Sequence, residues 1–178
     1  MEYEVRTVVK EVDLEKVIAF FEEKATKKDY EKQVIYNYHT EGDLRLIRTK
    51  EYDKLSFKDN NNNDIVYISK KYDNDLINMF KHIGISIDFK RFRERYKYIY
   101  NNFYITLDKG VKIGNILRIK FKYNNDLEKE EYINEIKEIM NSLNVLETPI
   151  DRFEKLYGKY RTSWNDLVGD INEDDFLK

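Results

Sequence analysis

Charged and apolar residues alternate from the first residues of the chain. Glu2, Glu4 and Arg6 take every second position, with Tyr3, Val5 and Thr7 between them. A period of two sends alternate side chains to opposite faces of a sheet, so this stretch predicts a strand with two carboxylates and a guanidinium on one face. The same period returns later. Arg91, Arg93, Arg95 and Lys97 lie opposite Phe92, Tyr96, Tyr98 and Tyr100, and Arg118, Lys120 and Lys122 lie opposite Leu117, Ile119, Phe121 and Tyr123. Between them Asp108 shares a face with Thr106 and Tyr104. QVIYNYHTEGDLRLIRT reads as two short strands around a turn at Glu41-Gly42, and LSFKDNNNNDIVYIS as a hairpin with the Asn run at its tip.

Helical spacing marks the rest. Asp13 is placed to cap a helix that buries Leu14, Val17, Ile18 and Phe21. Asp73 or Asp75 starts a second, through Leu76, Met79, Phe80 and Ile83, with Gly84 at its end. A third, from about Asp126 to Asn144, buries Tyr132, Ile136, Ile139, Met140 and Leu143. Pro149, the only proline, separates it from a helical C-terminal segment that starts at about residue 150. Neither an internal repeat nor a linker interrupts residues 1–178, which read as one domain.

Composition narrows the chemistry. The 15% aromatic content supports a packed core despite 37% charged residues. Without cysteine there is no disulfide framework, thiolate nucleophile or thiolate metal site, and two histidines, His39 and His82, supply a zinc site or histidine-based triad poorly. The charged, alternating start is unlike a signal peptide, and no apolar run approaches the ~20 residues of a membrane span. A cytoplasmic protein without a membrane partner is the expectation. A net charge of −2 argues against a general nucleic-acid binder.

The distribution of charge changes the picture. A solvated sheet face usually interleaves both signs, whereas the strands around Arg93 and Arg118 are almost wholly cationic on one face. On the strand faces that carry Glu2, Arg45, Lys58, Arg93, Asp108 and Arg118, eleven bases meet four acids, a surplus of +7 in a chain of net −2. Massed cations repel unless something anionic lies among them. Two readings of the alternation stay open: an ordinary antiparallel sheet with its apolar face on helices and its charged face in water, and, in line with the massed cations, a sheet curled into a barrel with helices on its apolar exterior and a basic interior that holds a polyanion.

In this respect the sequence resembles the CYTH superfamily of triphosphate tunnel enzymes, which includes class IV adenylyl cyclases and thiamine triphosphatases. The family's opening E-x-E-x-K is similar to Glu2, Glu4 and Arg6, its Q-x-D-x-Y-F to QVIYNY, its L-R-x-R to Leu44-Arg45 and its L-T-x-K to LSFK, ending at Lys58. A helix ending in L-G corresponds to Ile83-Gly84, K-x-R-x-x-Y to the strand of Arg93 and Arg95, and I-x-L-D to Ile105 through Asp108. L-G-x-F-x-E-x-E aligns in frame with IGNILRIK, and the cyclase branch's S-Y-x-x-L with Ser163 to Leu167. These motifs follow the family's order over most of the chain.

The resemblance implies an α+β fold, a closed antiparallel β-barrel of about eight strands with helices outside and a triphosphate in the lumen. It implies Mg²⁺ or Mn²⁺ held by Glu2, Glu4 and Asp108, which are also the catalytic set, and phosphates held by Arg6, Arg45, Lys58, Arg91, Arg93, Arg95, Arg118 and Lys120. The expected ligand is ATP or another triphosphate, with the triphosphate end of an RNA as the one nucleic-acid exception; a homodimer is left open. The reading that leads is a class IV adenylyl cyclase-like conversion of ATP to cyclic AMP and pyrophosphate. The alternatives are a triphosphatase (thiamine triphosphate, inorganic triphosphate or nucleotide) and a non-catalytic polyanion or nucleotide binder. The binder is favoured by one departure: Arg118 and Lys120 stand where the family's late strand carries metal-binding carboxylates. Ile35 and Ile47 likewise replace charged residues of the family pattern, and its R-x-E strand is unrecognisable in IVYISKK.

Overall fold

The computed structural model describes residues 1–61, 63–70 and 74–178. Eight strands, β1 (Glu2–Val9), β2 (Lys27–Tyr38), β3 (Asp43–Arg48), β4 (Tyr52–Lys58), β5 (Asp64–Lys70), β6 (Ile87–Tyr100), β7 (Phe103–Gly110) and β8 (Gly114–Lys122), form an antiparallel sheet in the order β1-β8-β7-β6-β2-β3-β4-β5. The helices are α1 (Glu11–Lys24), α2 (Asn74–His82), α3 (Asp126–Ser142), α4 (Ile150–Val168) and α5 (Glu173–Leu177). The α+β class and strand number are those expected from the sequence. The closed barrel is only approximated: among the described residues the strand order has two ends, β1 and β5, and the sheet is not closed. Alternation specifies which face of a strand is buried but carries no information on whether the first and last strands pair.

The chain divides into two compact units, Met1–Tyr30 with Glu94–Tyr157 and Glu31–Arg93 with Gly158–Lys178. In the first, the apolar faces of β1, β7 and β8 pack with α1 and α3. Leu14, Val17 and Phe21 of α1 and Ile136, Ile139 and Met140 of α3 join Phe103, Ile105, Leu107, Leu117, Ile119 and Phe121 in one cluster. Burying each such side chain contributes about 1.5–3 kcal/mol. Tyr132 closes edge-on over Phe121 and Phe103, with ring centroids at 5.3 and 5.7 Å. α1 begins two residues before Asp13, which lies in its first turn instead of capping it. In α3, Asn125 is the cap and accepts a hydrogen bond from Glu128 N at 2.9 Å. The segment after α3 clasps β1, since Val8 N donates to Thr148 Oγ1 at 2.9 Å.

In the second unit both faces of β2 are covered: Val34, Tyr36 and Tyr38 are buried on one side, Gln33, Ile35 and Asn37 on the other. Tyr38 meets Phe80 of α2 edge-on at 4.9 Å, and Phe92 meets Phe176 of α5 at 5.2 Å. Gly84 follows α2 with φ +82°, the left-handed conformation that suits glycine at a helix end. Asp75 lies in the first turn of that helix, whereas Asp73 and Asn62, at two of the expected turns, lie outside the described residues.

Arg48 and Asp53, register partners on β3 and β4, form a buried ion pair at 3.1 Å. Glu173 of α5 lies 3.6 Å from Arg48, also pairs with Lys90 and accepts a hydrogen bond from the Tyr36 hydroxyl, so this network ties α5 to the sheet. The Arg48 side chain is 5% exposed and that of Asp53 1%. Removing one partner of a buried pair leaves the other charge desolvated, at a cost of about 3–5 kcal/mol. Asp53→Ala is therefore expected to lower the unfolding free energy by about that amount in urea denaturation followed by the fluorescence of the single Trp164. A loss below about 1 kcal/mol would mean that the other partners of Arg48, Glu173 among them, satisfy it without Asp53.

Candidate functional site

In the first unit the antiparallel register of β1, β8 and β7 stacks the charged positions in rows. Glu2 lies opposite Lys122, Glu4 opposite Lys120 and Arg6 opposite Arg118. On the other side of β8, Tyr104 lies opposite Lys120 and Thr106 opposite Arg118. The predicted period of two therefore holds, and Glu2, Glu4, Arg6, Arg118 and Lys120 share one face.

Ion pairs connect these rows. Lys120 Nζ sits between the two glutamates, 3.2 Å from Glu2 Oε1 and 3.3 Å from Glu4 Oε2. Arg6 Nε donates to Glu4 Oε1 at 3.0 Å. Burial works to raise the Glu4 pKa, but Arg6 and Lys120 outweigh it and hold the carboxyl below its usual range. Deeper in the face, Asp108 is only 3% exposed. It accepts a bidentate pair from Arg95, Nε to Oδ1 at 2.6 Å and Nη2 to Oδ2 at 2.8 Å, while Arg118 Nη1 donates to Oδ2 at 2.6 Å. Burial opposes the charge of Arg118, yet Asp108 and its other neighbours raise its pKa above the ordinary value.

The second unit carries the remaining predicted phosphate ligands. Arg93 Nε donates to Gln33 at 2.7 Å and Arg91 Nη2 to Asn37 at 3.2 Å, both arginines being buried. Arg45 pairs with Asp43 two residues away, and Lys58, opposite Asp43 in the β3–β4 register, is exposed. Gln33 of the QVIYNY stretch thus positions an arginine, a role that the sequence pattern did not specify.

Among the described residues, no three acidic, histidine or cysteine side chains gather closely enough to hold a metal ion. An ammonium already lies between Glu2 and Glu4, and both Asp108 oxygens accept from guanidinium groups. A divalent ion about 4 Å from an ammonium meets a repulsion of roughly 2 kcal/mol in bulk water and roughly 8 kcal/mol at an effective dielectric of 20. Glu2, Glu4 and Asp108 in this arrangement do not fit a Mg²⁺ or Mn²⁺ cluster.

The same face holds a cavity of about 250 Å³ lined by Asp29, Lys97, Tyr104 and Thr106, among others. Lys97 Nζ donates to Asp29 Oδ2 at 3.2 Å. Tyr104 is 54% exposed, an aromatic ring in the row of Lys120 and Glu4. Asp29 escapes a pattern-based reading because β2 begins six residues before the recognisable QVIYNY stretch, among mixed charges without alternation. Tyr104 carried a usable signal, its shared phase with Asp108.

A family model described as "Protein of unknown function (DUF2718)" matches residues 13–118, and no curated protein matches the chain. Among solved structures, the PH1012 protein of Pyrococcus horikoshii is 21% identical, with a TM-score of 0.56 over 82% of this chain and 92% of its own. A candidate adenylate cyclase from Vibrio parahaemolyticus is 11% identical, with a TM-score of 0.57 over 86% and 97%. HpAC1 from Hippeastrum, a candidate adenylyl cyclase described as having a dominant triphosphatase activity, is 10% identical, with a TM-score of 0.55 over 89% and 96%. At these identities the likeness is one of fold alone. Because the matched residues 13–118 span more than half of the sequence, the chain belongs to the DUF2718 family.

Proposed function

We propose that the charged face of the first unit binds the triphosphate group of ATP or a related molecule. The observation that carries this reading is the pair of guanidiniums, Arg95 and Arg118, gathered on one buried carboxylate beside Lys120 and Arg6. Arg95 uses Nε and Nη2 on Asp108, and Arg118 uses Nη1. A guanidinium has five N–H donors, so each has others to offer to phosphate oxygens. Asp108 holds the two guanidiniums side by side despite their like charge, an arrangement suited to a polyanion in advance of binding. Lys120 and Arg6, themselves nearly half exposed at 44% and 49%, are able to exchange carboxylate for phosphate at small cost. The fold shared with a candidate adenylate cyclase and with HpAC1 supports the same ligand class.

A second, catalytic reading is favoured by Glu2 and Glu4 at alternate positions of β1. In a cyclase the ribose 3′-hydroxyl would attack the α-phosphate, forming cyclic AMP and releasing pyrophosphate; in a triphosphatase water would attack the γ-phosphate and release inorganic phosphate. Incubating the protein with ATP, with and without MnCl₂, and separating the products by anion exchange distinguishes the two. Neither cyclic AMP nor phosphate above a protein-free control would leave the binding reading alone.

Binding itself is expected by calorimetry to fall about tenfold in Arg95→Gln, the effect of losing one charge-assisted phosphate contact. Circular dichroism of the same variant checks that the fold persists. ATP that fails to bind the wild-type protein at millimolar concentration sinks the proposal.

The cavity beside Tyr104 is of a size to receive the part of the ligand that is not phosphate. An aromatic face stacks on a nucleobase, and removing it costs about 1–3 kcal/mol. Tyr104→Ala is therefore expected to weaken ATP binding by at least about fivefold while leaving inorganic tripolyphosphate unaffected. Equal losses for both ligands would place Tyr104 at the phosphates instead of the base.

A further inference from the structure

We infer that Lys120 is the built-in cation of this site, so that the face receives a triphosphate without a divalent metal. The inference deepens the triphosphate reading above and rests on it. Three placements support it. Lys120 Nζ lies between the carboxylates of Glu2 and Glu4, at 3.2 and 3.3 Å, so a cationic side chain already stands between the two acids that would hold a metal. The backbone register sets Glu4 directly opposite Lys120, which brings the two side chains within reach of each other. Asp108, the third acid, is committed to Arg95 and Arg118 through both oxygens and acts as a positioning residue for guanidiniums.

This arrangement changes what the two glutamates do. As metal ligands they would recruit a cation with each ligand. As partners of Lys120 they are resident counter-charges that keep the ammonium on the face while the site is empty. An arriving triphosphate then competes with two carboxylates for one ammonium, and no ion has to be bound or released. An ammonium neutralises phosphate charge as a metal does, but presents three donors and no coordination site. The side chains of Lys120 and Glu2 are 44% and 55% exposed, so the exchange involves groups already in contact with water.

The test is calorimetric titration with inorganic tripolyphosphate, in a chelator and in millimolar MgCl₂, of the wild type, Lys120→Gln, and Glu2→Gln combined with Glu4→Gln. The expected result is binding by the wild type in chelator that Mg²⁺ does not strengthen, since Mg²⁺ lowers the charge of the free polyanion. Lys120→Gln should weaken binding in chelator by about tenfold, and the double glutamine variant should tighten it by removing the competitors for Lys120. Wild-type binding that requires Mg²⁺ overturns the inference and leaves the triphosphate reading standing. So does unchanged affinity of Lys120→Gln in chelator, or loss of binding in the double variant. Wild-type protein that binds tripolyphosphate in neither condition overturns both readings.

Discussion

A carboxylate removed from water is stable as an anion only if cations and hydrogen bonds replace its hydration. Asp108 meets that constraint by accepting three hydrogen bonds from Arg95 and Arg118. The consequence spreads across β6, β7 and β8, because each strand contributes one charged member of the group. The two guanidiniums would repel each other on a bare sheet face; with Asp108 between them they become a fixed, paired donor array. The apolar faces of β7 and β8 pack beneath this array against α1 and α3, so the same strands that hold the charges are anchored by the core.

The outer rows solve a similar problem less tightly. Glu2, Glu4, Arg6 and Lys120 pair with one another nearer the surface, where each pair is worth little and is easily exchanged. The face thus grades from a committed interior pair of arginines to an exchangeable outer set. This gradient is what makes a binding role for an anion physically reasonable, and it removes the need for a metal to explain why two glutamates stand together on β1. In the second unit, Arg93 and Arg91 are buried, and the amides of Gln33 and Asn37 help to orient their guanidiniums. The Arg48–Asp53–Glu173 network lies on the opposite face of β3 and serves to hold α5.

Much of this was legible in the chain. Period-two alternation placed Glu2, Glu4 and Arg6 on one face and Arg118 and Lys120 on another strand's matching face, because strand geometry leaves alternate residues no other choice. The buried positions of α1 and α3 followed from their 3.6-residue spacing in the same way. Boundaries were less legible. α1 begins two residues before Asp13, and β2 begins six residues before QVIYNY, because pairing across the sheet extends a strand through residues that show no alternation of their own.

Sequence by itself determined which residues face which side of each strand, and hence that basic side chains mass on one face, since the phase of a strand is a local property of the backbone. Only the tertiary structure decided the partners. Cross-strand register set Lys120 against Glu4 and brought Arg95 and Arg118 to Asp108, although these residues are separated by more than one hundred positions in the first case and by ten or more in the others. Register arises from the fit of many side chains across neighbouring strands, and no single stretch of sequence contains it. The role of the glutamates changed with that pairing, because a carboxylate's chemistry depends on which cation lies beside it, and only the folded sheet brings Lys120 there.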